Sequence, residues 1–168
     1  MSELDIHIRP PEPEDIDFIL SVENEESNWS VSNTYIPFSR FAVEQYVLNA
    51  DHDLFSSGQL RMIIESKESK EMLGCIDLFE FDPLVRKAGV GILIQPEHQH
   101  KGYASLALEK IIHLAFDSLG LHQLCCLVHP DNSGSIKLFE SHGFEQNGVR
   151  KDWAFYDGKF HDLNFYQL

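Results

Sequence analysis

The chain has 168 residues, with 13 Lys and Arg set against 27 Asp and Glu, for a formal charge of −14. That balance argues against a nucleic-acid partner, because phosphate backbones demand clustered cations. An acidic surface instead suits cationic ligands such as amines, or serves solubility alone. Hydrophobic residues make up 43% of the sequence, which is enough for an enclosed core in a single domain over residues 1–168.

Leu4, Ile6 and Ile8 alternate with polar residues and predict a first strand that ends at Pro10-Pro11. From Glu12 to Asn24, Ile16, Ile19 and Leu20 follow an acidic first turn, the pattern of an amphipathic helix. Glu23 to Arg40 shows no period. Ser39 is placed to cap a second helix from Phe41 to Ala50. Strands follow at Arg61–Ile64, Met72–Phe81 and Ala88–Ile94, with a polar turn from Ser66 to Lys70 and a break at Asp82-Pro83.

A long helix is predicted from Gly102 to Leu119, stopped by Gly120. A strand at Leu121–Val128 leads to a short helix over Asn132–Ser141, which Gly143-Phe144 ends. Two last strands, Val149–Tyr156 and Phe160–Gln167, flank the turn residues Asp157-Gly158. The order β-α-α-β-β-β-α-β-α-β-β describes a mixed α/β domain.

Cys75, Cys125 and Cys126 sit in apolar, strand-like surroundings without zinc-site spacing, and read as reduced core thiols of a cytoplasmic protein. His98 and His100 flank Gln99 with no third ligand at metal spacing, so no metal is expected. No signal-peptide layout opens the chain and no apolar run is long enough to span a membrane. A soluble protein with no membrane partner is expected.

Gln99-His100-Lys101-Gly102-Tyr103-Ala104 lies between the apolar strand and the long helix. A glycine there lets backbone N–H groups approach an anion, and the helix N-terminus adds unpaired donors and its dipole. Phosphate oxygens are the natural guest.

Gln99-x-x-Gly102-x-Ala104, with this element order, resembles the GNAT superfamily of acyl-CoA-dependent N-acetyltransferases, whose pyrophosphate signature is Gln/Arg-x-x-Gly-x-Gly/Ala. His129-Pro130-Asp131-Asn132-Ser133-Gly134-Ser135, then Leu138 to Phe144, is similar to the family's next block. Ile8-Arg9-Pro10, and Trp29 ahead of Pro37-Phe38-Ser39, resemble its spermidine and ribosomal-protein acetyltransferase branch. The resemblance implies a central, mostly antiparallel sheet with splayed strands flanked by helices. It implies acetyl-CoA as cofactor and direct transfer, in a ternary complex, to a primary amine: a polyamine, a protein or peptide N-terminus, or another small amine. The backbone of Ile92, Leu93 and Ile94 would receive the pantetheine arm. Gln99, His100, Lys101, Gly102, Tyr103 and Ala104 would hold the pyrophosphate, Asn132 the pantetheine, and Ser135 would face the same cofactor one helical turn on.

Transfer needs a base for the amine, a polarised carbonyl and a proton for the departing sulfur. A backbone N–H near Ile92 to Ile94 supplies the second. Asp77, Glu80 and Asp82 are candidates for the base, with Glu80 favoured. Asp77 and Glu80 share a face only across a bulge. Where many family members carry a donor Tyr, this chain has Phe139, leaving Ser135, Tyr103 or water as donor. The same Phe139 motivates a second reading, a catalytically silent CoA-binding or regulatory module. Trp29, Tyr35 and Phe38 would wall the acceptor site, with Glu23, Glu25 and Glu26 drawing in an ammonium group or merely forming a solvated helix end. The aromatic C-terminal hairpin suits a homo-oligomer contact or a core equally.

Overall fold

The computed structural model describes residues 4–32, 34–50 and 53–168. Ile6–Arg9 forms β1, after which the chain enters a 3-10 turn at Pro13–Asp15, where the fixed φ of Pro13 suits a first helical position. The helix expected from Glu12 is therefore α-helical only over Ile16–Glu23 (α1), which buries Ile16, Phe18, Ile19 and Val22. The aperiodic stretch contains a further helix, α2 (Glu26–Ser32), too short and polar to show a hydrophobic period. α3 spans Arg40–Leu48, and the Ser39 hydroxyl caps it by accepting from Ala42 N at 3.1 Å. A second unanticipated helix, α4 (Leu54–Ser57), is capped by Asp53.

Then come β2 (Leu60–Ser66), β3 (Met72–Asp82) and β4 (Lys87–Ile94). α5 runs over Tyr103–His113, and the predicted long helix finishes as a π turn over Leu114–Ser118. β5 (Gln123–Val128), α6 (Ser133–Ser141), β6 (Glu145–Tyr156) and β7 (Lys159–Gln167) complete the order. Asp157 and Gly158 have φ of 51° and 70°, the two positive values that a two-residue type I′ hairpin requires.

One seven-stranded sheet holds the strands in the order β1-β2-β3-β4-β5-β7-β6. Every neighbouring pair is antiparallel except β4–β5. That parallel pair extends only from Lys87, Ala88 and Gly89 to Gln123, Leu124 and Cys125. Beyond Gly89, β4 is matched to β3 alone, so the two parallel strands separate.

Each face of the sheet buries its own cluster. On one face Ile64, Ile76, Leu78 and Leu124 pack against Leu108 and Ile111 of α5 and Phe139 of α6. On the other, Ile63 and Cys75 pack under α1 and α3, with Leu93 of β4 at the cluster's edge. Two arginines tie α1 to the sheet. At its start Arg9 bridges Asp15 (2.6 Å) and Glu65 (2.8 Å). At its end Arg61 takes Asp77 through two 2.8 Å bonds and also binds Glu23. Burial opposes charge on Asp15, but its bonds to Arg9 and the Glu12 N–H outweigh this and hold the carboxyl below its usual range.

Candidate active site

The loop between β4 and α5 is built around backbone donors. His100 (φ 59°) and Gly102 (φ 91°) are left-handed on either side of Lys101, turning successive N–H groups toward one side. Gln99 N bonds Pro96 O and Leu106 N bonds Gly102 O, while the six backbone N–H groups from His100 to Ser105 meet no acceptor among the described residues. Tyr103 and Ala104 supply the open first turn of α5. Gln99 contributes in another way, since its Nε2 donates to the Ile94 carbonyl at 2.9 Å and fastens the loop to the strand end. His98 is buried, with Nε2 3.3 Å from Glu71 and its ring edge-on to Tyr103.

Ile92, Leu93 and Ile94 lie on the part of β4 that has left β5, so their free edge faces the opening. Beyond the β5 end, the Asn132 side-chain oxygen caps α6 by accepting from Ser135 N (3.1 Å), which leaves the Asn132 amide nitrogen and the Ser135 hydroxyl without a partner among the described residues. These donors fit a phosphorylated, amide-bearing cofactor such as CoA: a concave set of N–H groups for the pyrophosphate and a strand edge for the arm. Phe139 is buried edge-on to Phe144 and belongs to the core.

The candidate bases separate clearly. Asp77 is locked to Arg61, and Asp82 accepts from Leu84 N and Val85 N in the turn. Neither is available as a base, which corrects that part of the expectation. Glu80 makes no such bond. It sits in a left-handed conformation (φ 48°) where the β3–β4 register shifts between Phe79 and Asp82, the bulge that a shared face with Asp77 requires. Beside it, Phe79 lies over two glycines of β4: a Cβ added at Gly89 would meet its ring at 2.5 Å, and one at Gly91 at 3.4 Å. The Gly89-x-Gly91 spacing was the available sequence signal for this seat, yet it acquires meaning only once β3 is paired with β4.

The Cys125 thiol lies opposite Gly89, at the point of separation. Burial raises its pKa, and the charges of Lys87 (lowering), Glu80 (raising) and Arg150 (lowering) all reach it. Burial likewise pushes the Cys75 thiol up to about 12 and raises Cys126, so neither is a nucleophile. All three thiols are free.

The acceptor wall is only partly as anticipated. Trp29 donates its Nε1–H to the Glu23 carbonyl at 3.0 Å, and Tyr35 and Phe38 are exposed in the segment between α2 and α3. Glu23 is paired with Arg61 and is not a free carboxylate awaiting an ammonium group, whereas Glu25 accepts the Ser27 hydroxyl (2.9 Å) and keeps its charge. Among the described residues no group of three or more His, Cys, Asp and Glu is arranged to hold a metal, and no helix is long and apolar enough to cross a membrane.

A central, mostly antiparallel sheet that opens beside an anion cradle defines a class of CoA-dependent acetyltransferase folds. Residues 5–145 match the acetyltransferase (GNAT) domain family, and the chain belongs to that family, whose members are N-acetyltransferases that use acetyl-CoA. The uncharacterized N-acetyltransferase YoaA of Bacillus subtilis is 32% identical over 109 residues, covering 65% of this chain and 62% of YoaA, less than two thirds of that relative's length. The spermidine N(1)-acetyltransferase of Vibrio cholerae is 28% identical over 159 residues, covering 93% of this chain and 88% of the relative. A crystal structure of spermidine N-acetyltransferase from Vibrio cholerae in complex with CoA and spermine superposes with a TM-score of 0.89 at 25% identity, covering 97% of this chain and 94% of that one.

Proposed function

We propose that residues 1–168 act as one domain that moves an acetyl group from acetyl-CoA directly to a primary amine in a ternary complex. The observation that carries this reading is the run of open N–H groups from His100 to Ser105, directly beyond a strand that leaves its parallel neighbour. The relatives' names support a polyamine, and a small amine or a protein N-terminal amine suits the same chemistry. Three free thiols, two of them buried, suit a reducing compartment such as the cytoplasm.

Acetyl-CoA, when bound, supplies the activated acetyl thioester. The N–H groups of His100 to Ala104 hold the pyrophosphate, with the Lys101 charge close by. The edge of Ile92 to Ile94 aligns the arm and presents a backbone N–H to the reacting carbonyl. Asn132 adds its amide donor. Glu80, unpaired and beside the strand separation, accepts the amine proton directly or through one water. With Phe139 unable to donate, Ser135, Tyr103 or water delivers the proton to the sulfur, a modest demand for a thiol whose ordinary pKa is about 8.5.

Calorimetric titration with CoA and acetyl-CoA, joined to thiol release over a panel of amines and N-terminal peptides, tests the reading. Binding together with release on at least one amine is expected. Tight binding with no release on any acceptor turns the protein into a silent CoA-binding module, and absence of binding removes both readings.

A further inference from the structure

Four of the five arginines of this chain are used in two ways. Arg9, Arg40 and Arg61 each bridge two carboxylates. Arg150 bridges none among the described residues, and aromatic rings hold it instead. Its guanidinium carbon lies 5.0 Å from the Phe165 ring centroid and 5.4 Å from that of Trp153. The two rings hold the guanidinium by cation–π contact, and its N–H donors meet no acceptor among the described residues. A fork fixed in this way is ready for a carboxylate in two parallel hydrogen bonds.

This seat is built by an irregularity in β6. Arg150 is matched to Leu163 and Ala154 to His161, so β6 carries extra residues between these pairs. Asp162 supports the bulge: one oxygen accepts from Asp152 N (2.9 Å) and the other takes Lys151 Nζ (2.7 Å). Asp152 is left-handed (φ 50°), and the displaced chain brings Trp153 beside Arg150.

The register places this fork on the face left for an acceptor. Arg150 opposes Leu163 on β7, Phe165 opposes Leu127 on β5, and Cys125 opposes Gly89 on β4, so these side chains share the face of Phe79. α5 and α6 cover the other face. The Arg150 charge reaches the Cys125 thiol, as do those of Lys87 and Glu80. One carboxylate and two cations with no carboxylate partner therefore surround the opening of the sheet. A polyamine meets like charge there, whereas a zwitterion finds a partner for each of its groups.

We infer that Arg150 receives a carboxylate carried by the acceptor, which makes the acceptor a small zwitterion of the α-amino acid class with its amine directed to Glu80. The assignment rests on the acetyl-transfer reading above. Its test compares leucine, phenylalanine, glutamate and lysine with their carboxamides, and with spermidine, in thiol release from acetyl-CoA. The carboxamides keep the shape, lose the negative charge and free their amine more readily, so a preference for the acids runs against that bias. The acids are expected to lead by about tenfold or more in kcat/KM through KM, as for a charge-assisted bidentate pair. Arg150→Gln erases the ratio of acid to amide, and Arg150→Lys restores part of it. Spermidine or the carboxamides matching the acids, or an Arg150→Gln variant that keeps the ratio, overturns the assignment. Binding of leucine and leucinamide to the CoA-loaded protein is read in parallel. A carboxylate preference in binding without any turnover overturns the transferase reading alone, and equal binding overturns the role of Arg150.

Discussion

The two halves of the sheet spend their charges differently on the face that carries α1 and α3. Over β1 to β3 the helices seal the surface, and Arg9 and Arg61 are consumed in ion triads that fasten both ends of α1. Over β5 to β7 the apolar cluster has ended, Leu127 and Trp153 are exposed, and Arg150 rests on rings with its donors open. The same residue type thus serves as a fastener where its carboxylates are internal and as a receptor where they are missing. The contrast places stability in the first half and recognition in the second.

Glu80 lies at the boundary, and it gives the largest expected effect. Glu80→Gln lowers kcat/KM by on the order of a thousandfold, as befits a lost general base. Glu80→Gly is equally inactive yet gains about 1 kcal/mol in urea unfolding, because glycine accepts the left-handed φ without strain. A variant that stays active makes Glu80 a turn residue only.

Asp15→Asn strikes the sealed half. Arg9 keeps Glu65 but loses its second charged partner, which costs about 1–2 kcal/mol in urea unfolding near neutral pH. The sign of the pH dependence follows from the lowered Asp15 pKa. Its stabilisation is complete above the unfolded carboxylate range of about pH 4 and is lost as pH falls through the lower folded value. The gap between wild type and Asp15→Asn therefore narrows in acid. Acetyl-CoA affinity measured on the folded variant stays as in the wild type.

Gly102→Val strikes the loop between β4 and α5. The φ of 91° is unavailable to valine without strain, so the cradle deforms and acetyl-CoA affinity falls by on the order of a hundredfold in calorimetry, the equivalent of two charge-assisted hydrogen bonds. Far-ultraviolet dichroism remains native. Phe139→Tyr gives the smallest effect: the ring is buried against Phe144 in the core, so the added hydroxyl costs about 1 kcal/mol in urea unfolding and leaves kcat unchanged. An unchanged kcat assigns the proton for the departing sulfur to water, Ser135 or Tyr103.

Much of this contrast was legible in the sequence wherever the signal was local. Apolar runs bounded by polar turn and proline breaks located β3 and β4, Ser39 capped α3, Asp157-Gly158 turned the final hairpin, and Gly102 marked the left-handed turn before α5. α2 and α4 escaped because seven and four residues carry too few apolar positions to establish a period. The pairing of Arg61 with Glu23 and Asp77 joins residues distant in sequence, and no spacing rule announces it. The seat of Arg150 depends on a bulge in β6, so Trp153 and Phe165 become its neighbours only after the strands are in register.

The three matched pairs between β4 and β5 also have a mechanical meaning. Among the described residues they are the one backbone ladder joining the β1–β4 part of the sheet to the β5–β7 part, which makes this seam the place where the protein opens at least cost. A ligand lying along Val90 to Ile94 supplies the contacts that the parting strands lack, and its binding free energy becomes cohesion between the two parts. Amide hydrogens on that stretch of β4 and at the end of β5 are then expected to exchange fastest among the central strands of the free protein, and to slow most when CoA is added.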